Sequence, residues 1–164
     1  MANQDSNMKK LADMMEGIKF AMLTTLEEDG SLHSRPMATQ EIEFDGDLWF
    51  FTKANAPKVW EVGHHRQVNV SFADPEKSKF ISASGSATLI RDRAKMQELW
   101  KAPYKVFFPE GLDDPEIALL KITIAKAEYW DSSPTAIGRA FDFAKAYLTK
   151  DASKLGDHQE IEVH

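Results

Sequence analysis

The strongest constraint on this chain is a run of six β-rich segments separated by turn residues, with only short helical stretches between them. Residues 18–26 read as a largely buried strand, 32–44 as a second and 48–52 as a third. Residues 68–72 alternate apolar side chains with Asn69 and Ser71, 80–90 carry Gly85, and 119–130 form the sixth segment. Asp29-Gly30 and Asp45-Gly46 fall between the first three segments. An Asp-Gly pair tolerates the positive φ angles of a tight hairpin turn, so these three strands are expected to form an antiparallel meander.

The helical stretches are short. Ser6 or Asn7 can cap a helix with Leu11, Met14 and Met15 on one face, ended by Gly17. Residues 55–63 read as a helix with Asn55 as N-cap, Pro57 in its first turn and Gly63 as its stop. Further helical segments are expected at 94–100, as a single turn at 113–116, and at 136–148 after Pro134. This order of elements predicts a mainly β fold, a small closed or split antiparallel β-barrel of six strands flanked by helices. A Rossmann sheet is not expected, because no strand-turn-helix carries a Gly-rich phosphate loop.

A length of 164 residues fits one domain. The expected layout is a single domain over 1–150, with the barrel at about 17–131, a C-terminal helix at about 135–149 and a polar tail over 151–164. The chain has no cysteine, which excludes disulfides, a thiolate nucleophile, cysteine-ligated zinc and iron–sulfur clusters. The formal net charge of -6 argues against nucleic-acid binding, which leans on phosphate neutralisation by Lys and Arg. No apolar run approaches the roughly 18 residues needed to span a bilayer, and the polar N-terminus lacks a signal core. The expectation is a cytoplasmic protein with no membrane partner.

Common catalytic signatures are missing: there is no G-x-S-x-G elbow, Walker lysine, H-E-x-x-H or kinase set. The adjacent pair His64-His65 would point its rings about 100° apart on a helix and chelate poorly, so no metal site is expected. His33, His158 and His164 have no obvious carboxylate partner in the sequence.

Two segments carry more. In Ser34-Arg35-Pro36-Met37, a proline inside a strand removes a ladder donor and leaves neighbouring backbone free for another partner. In Phe51-Thr52-Lys53-Ala54-Asn55-Ala56-Pro57-Lys58, a strand ends in a hydroxyl and a helix begins with lysine in its first turn. Helix N-termini hold phosphate well, and lysine adds a mobile charge. An edge-strand proline beside a surface arginine, and a capped helix with a solvated Lys58, remain the plainer readings of these residues taken alone.

Taken in order, several pieces resemble the pyridoxamine 5'-phosphate oxidase-like, FMN-binding split-barrel superfamily, and within it the general stress protein branch. They are Ser34-Arg35-Pro36-Met37, Trp49-Phe50-Phe51-Thr52 with Lys58 six residues after the threonine, Gly85, and Leu99-Trp100. Phe107-Phe108-Pro109, the stretch 111–115 and Glu128-Tyr129-Trp130-Asp131 complete the set, which runs from about Met8 to Asp131. The resemblance implies a homodimer with FMN at the subunit interface. It implies that Arg35 and Lys58 hold the FMN phosphate with help from Thr52, that the backbone of Pro36 and Met37 lies along the flavin, and that Phe51 sits beside it. Ser34 belongs to the same binding strand, Trp130 would reach the cofactor from the partner subunit, and Trp100 would help close the site.

The departures narrow the function. The oxidase proper has an arginine directly before the phosphate lysine, where this chain has Pro57, and a substrate-contacting lysine where Gln40 stands. Its Arg and His residues for the vitamin phosphate are replaced by Asp131-Ser132-Ser133-Pro134-Thr135. The resemblance therefore implies an FMN-dependent oxidoreductase of another substrate rather than a pyridoxamine phosphate oxidase. A non-catalytic flavin carrier or stress sensor, and a split barrel holding haem or a deazaflavin, are the alternatives.

Overall fold

The structure is a computed structural model, and it describes residues 2–132 and 157–163. Helix α1 (Ala2–Met15) leads into β1 (Phe20–Leu26), β2 (Leu32–Ala38) and β3 (Asp47–Lys53). Helix α2 (Pro57–His64), β4 (Gln67–Asp74) and β5 (Lys79–Ile90) follow, then α3 (Arg93–Leu99) and two 3-10 turns, Ala102–Val106 and Gly111–Asp113. The long strand β6 (Ile117–Asp131) and the short strand β7 (Asp157–Glu162) complete the order. The expected helix at 136–148 lies outside the described residues.

The seven strands among the described residues pair antiparallel in one sheet, in the order β2-β1-β4-β5-β6-β3, with β7 also on β6. This is the mainly antiparallel architecture the sequence predicts. The sheet is not closed: β2 and β3 are end strands, with no ladder joining them among the described residues.

The meander is the expectation that fails. The Asp45-Gly46 turn does form, with Gly46 at φ 104° and the Asp47 amide donating to Asp45 Oδ1 at 3.1 Å. It does not return β3 onto β2. The Gly46 carbonyl accepts from the Ile124 amide at 2.9 Å, and β3 pairs with β6 from Asp47↔Thr123 to Lys53↔Ile117. The reason is burial. Residues 117–120 of β6 are buried on both faces, so this strand needs a partner with an apolar run, and 48–51 supplies it.

Other differences are smaller. Ser6 and Asn7 fall inside α1, Ala56 rather than Asn55 caps α2, and Gly63 lies within that helix. β1 alternates instead of being largely buried, with Ala21 and Leu23 inside and Phe20 and Met22 exposed. The end of the expected polar tail forms β7, whose pairing on β6 brings Ile161, with Val163 just beyond it, into the core.

Two clusters hold the fold together. The main one packs Leu11 and Met14 of α1 and Val62 of α2 against Leu23, Phe50, Val70, Ile81 and Ile122 of the sheet. The second joins Phe51, Met96, Leu99, Phe108, Ile117 and Leu119 on the opposite face of β3 and β6. Phe50 and Phe51 thus serve different cores, as the alternation of a strand requires.

A β-bulge divides β6. Ser84 pairs with Lys126 but Gly85 pairs with Ile124, leaving Ala125 as the extra residue. Below it β6 pairs with β3, and above it with β7, whose chain continues so that the Val163 amide donates to the Ala125 carbonyl at 2.7 Å. At Gly85 a Cβ would stand 2.1 Å from the Thr123 carbonyl oxygen, so only glycine fits.

Candidate functional site

Strands β1 and β2 and helix α2 converge on a polar cluster. β2 runs beside β1 with Leu23↔Arg35 and Thr25↔His33 in register. Arg35 Nη1 donates to Thr25 Oγ1 at 2.5 Å, and Nη2 donates to Glu61 Oε2 at 2.7 Å. The Thr25 hydroxyl donates to the same carboxylate oxygen of Glu61 in a short bond. His33 Nδ1 lies 3.0 Å from Arg35 Nη2 and 3.1 Å from Glu27 Oε1, so His33 does have a carboxylate neighbour, contrary to the sequence expectation.

Glu61 is buried, its side chain 7% exposed against 15% for Arg35. Burial alone would push its carboxyl up. The Thr25 hydroxyl bond, the Arg35 bond and the Arg35 charge outweigh that and hold it below the ordinary carboxylate range. Glu27, His33 and Glu61 also bring one ligand atom each within 4.8 Å of one another, but the guanidinium on Glu61 already supplies the positive charge there.

Lys58 stands in the first turn of α2, three residues before Glu61 and on the same helix face. It is half-buried and makes no ion pair or hydrogen bond among the described residues. Burial, and then the neighbouring Arg35 charge, push its ammonium below the ordinary lysine range, with Glu61 opposing in part. Ala56 gives α2 no side-chain cap; Pro57 has no N–H and the Val59 amide donates to the Ala56 carbonyl at 2.9 Å, which leaves the Lys58 amide at the helix start. Two cations against one buried carboxylate, beside the uncapped Lys58 amide, suit an anion such as a phosphate.

The structure thus brings Arg35 and Lys58 together. Thr52 is buried at the end of β3, and its hydroxyl donates only to the Lys53 carbonyl at 3.4 Å, without a bond to either cation. Phe51 and Trp100 do meet, edge to face at 5.4 Å, within an aromatic group that includes Tyr104 at 5.5 Å and Phe108 at 6.2 Å from Phe51.

The remaining expected residues lie on the sheet. The Ser34 hydroxyl pairs with Thr24 Oγ1 at 2.7 Å, Pro36 is exposed opposite Met22, and the Met37 side chain enters the main core. Trp130 is 38% exposed on β6 opposite Phe80, four strand spacings from Arg35 across the sheet order.

Neither Glu61 nor Thr25 stands out in the sequence. The three-residue spacing of Lys58 and Glu61 was the available signal for one of them. His64, by contrast, behaves as an ordinary helix-end residue, its Nδ1 2.9 Å from the Trp60 carbonyl and its ring 4.1 Å from the Trp60 ring.

Comparison with known proteins decides the family. The sequence profile described as pyridoxamine 5'-phosphate oxidase like matches residues 6–154. The chain belongs to this family. Protein bli-3 of Neurospora crassa is 26% identical over 167 residues, spanning 96% of this chain and 80% of its own. A crystal structure described as the general stress FMN/FAD binding protein of Xanthomonas citri superposes with a TM-score of 0.67 at 28% identity, covering 80% of this chain and 92% of that one. A candidate general stress protein 26 from Jannaschia sp. CCS1 matches over 99% of both chains with a TM-score of 0.75; at 23% identity this likeness speaks for the fold alone. No helix among the described residues is long and apolar enough to cross a membrane.

Proposed function

We propose that this chain is an FMN-binding homodimer acting as a flavin-dependent oxidoreductase in the cytoplasm. The observation that carries the reading is Lys58, a half-buried lysine with no ion pair among the described residues, beside Arg35 and the uncapped start of α2. Family membership and a related protein described as binding FMN/FAD support a flavin as the anion that fills this place.

In this reading Lys58 binds the phosphate directly. Arg35, already held by Glu61 and Thr25, presents its remaining N–H groups in a fixed orientation. Thr52 lies beside the phosphate, the Ser34-Arg35-Pro36-Met37 strand carries the flavin, and Phe51 and Trp100 supply an aromatic wall that excludes water. Trp130 reaches the flavin of the partner subunit. Exposed Phe20, Met22, Phe80 and Trp130 on the outer sheet face support such a pairing of subunits. Bound flavin supplies the electron transfer; the chain supplies binding, orientation and electrostatics. Vitamin B6 phosphate is not the substrate of this reading, because Gln40 and Pro57 stand where the oxidase has cations.

The experiment is a titration of the purified protein with FMN at micromolar concentration, read by flavin fluorescence and visible absorbance. Quenching with a shifted flavin band is expected, followed by anaerobic bleaching with NADH or NADPH. No change in either signal overturns the flavin reading; binding without bleaching by any donor overturns the oxidoreductase part.

A further inference from the structure

A cavity of about 920 Å³ among the described residues is lined by none of the nine residues assigned above to the flavin. It opens between the C-terminal turn of α1, the β2–β3 connection, β3 and the first 3-10 turn. Its size falls within the range of small-molecule sites. Its inner wall is apolar, built from the partly buried Met15, Ile18, Phe44 and Leu48 among others. Such a wall gains from displacing water by an apolar body.

The charge around this wall is one-sided. Glu41 is matched by Lys101 at 3.5 Å, and Asp47 by Lys121 at 3.0 Å. That leaves Asp13, Glu16 and Glu43, all exposed at the cavity and none in an ion pair among the described residues, against the single ammonium of Lys19. The end of α1 that lines the cavity carries no basic residue in its last turn, so its carbonyl ends add to the negative potential. The polar pair inside is neutral: Tyr104 donates to Gln40 Oε1 at 3.0 Å, and burial keeps its hydroxyl above the ordinary tyrosine range.

We propose that this cavity binds a small apolar or aromatic molecule carrying a positive charge, an amine whose body packs on the Ile18 and Phe44 wall while its cation faces Glu16 and Glu43. Anions of the same shape are rejected by the unpaired carboxylates, and neutral molecules bind through the wall alone. The inference uses none of the nine side chains assigned to the flavin, so it does not rest on flavin binding, although Gln40 and Phe20 also figure in the reading above.

The test compares three probes of one shape on the full chain by calorimetry: 1-naphthylmethylammonium, 1-methylnaphthalene and naphthalene-1-carboxylate. The cation is expected to bind at least about tenfold more tightly than the anion, with the neutral probe between them. Glu16→Gln with Glu43→Gln should bring the cation down to the neutral probe while leaving the neutral probe unchanged. Ile42→Trp, at a lining position that is 40% exposed and so tolerant of bulk, should weaken all three. Circular dichroism of each variant separates lost binding from lost folding. The proposal is overturned if no probe binds, if the carboxylate binds as well as the ammonium, or if folded variants bind as the parent does. Failure of FMN to bind would leave this result untouched, so the two readings fail separately.

Discussion

Arg35 and Glu61 meet at 2.7 Å across the junction of β2 and α2, and both are largely withdrawn from water. The contact joins a strand-borne guanidinium to a helix that is otherwise tied to the sheet through apolar residues such as Val62. It therefore does two things at once. It docks α2 in one orientation, which fixes where Lys58 stands, and it leaves Arg35 oriented rather than free to wander.

Removing one partner should be costly because the other is then left withdrawn from water and unpaired. Glu61→Ala is expected to destabilise the protein by about 3 kcal/mol, near the low end for a buried pair because Arg35 keeps some exposure. For a chain of this size that is a fall in Tm of roughly 6–12 °C. Replacing both with apolar residues, Arg35→Met with Glu61→Met, should recover at least half of the loss. Thermal melts of the three variants check this; a double variant worse than Glu61→Ala would show that the pair contributes more than mutual neutralisation.

Acid should act on the same contact. Glu61 titrates below its ordinary value in the folded protein, so its contribution is present above the unfolded carboxylate range and is lost as pH falls through the lowered folded value. Urea midpoints measured between about pH 3 and pH 6 should fall with decreasing pH, and Glu61→Gln should flatten that slope. An unchanged slope in the variant would assign the acid sensitivity to other carboxylates.

How much of this could be read beforehand depends on distance along the chain. Arg35 and Lys58 stand out through the family resemblance of their short motifs; their residue types alone leave an edge-strand arginine and a solvated lysine open. Glu61 does not stand out, because a glutamate in Val59-Trp60-Glu61-Val62 looks like a solvated helix charge until β2 places Arg35 against it. The β3–β6 ladder was hidden for the same reason: a turn such as Asp45-Gly46 reports its own backbone and not the strand that its neighbours will choose. β7 was partly visible. Glu160-Ile161-Glu162-Val163 alternates with period two, but two apolar residues in a polar stretch carry little weight until β6 offers them an edge.

Gly85 tests the bulge. A methyl group there meets the Thr123 carbonyl at 2.1 Å and backbone carbon at 2.9 Å, neither of which can rotate away. Gly85→Ala should cost about 3 kcal/mol, at the upper end for overpacking, because β5 and β6 must separate. Ser84→Ala, one residue away and already bearing a Cβ, should stay within about 1 kcal/mol. Chemical denaturation of both variants checks the contrast, and equal effects would mean that the ladder yields easily at Ala125.

Lys58 offers the sharpest test, because its roles in folding and in binding should have opposite signs. Its ammonium titrates below the ordinary lysine range in the folded protein, so at neutral pH it stays charged at a cost to stability. That cost is present below the folded value and disappears as pH rises through the unfolded one. Lys58→Met keeps the stem and removes the charge. The ligand-free variant is therefore expected to melt at or above the temperature of the parent protein. FMN affinity should nevertheless fall by about 10–100-fold, the effect of one lost charge-assisted contact, while riboflavin, which lacks the phosphate, changes little. Melting curves with and without FMN, beside fluorescence titrations with both flavins, read the two effects on one sample. A variant that is less stable without ligand would make Lys58 a structural residue, and equal losses for FMN and riboflavin would remove the phosphate from its neighbourhood.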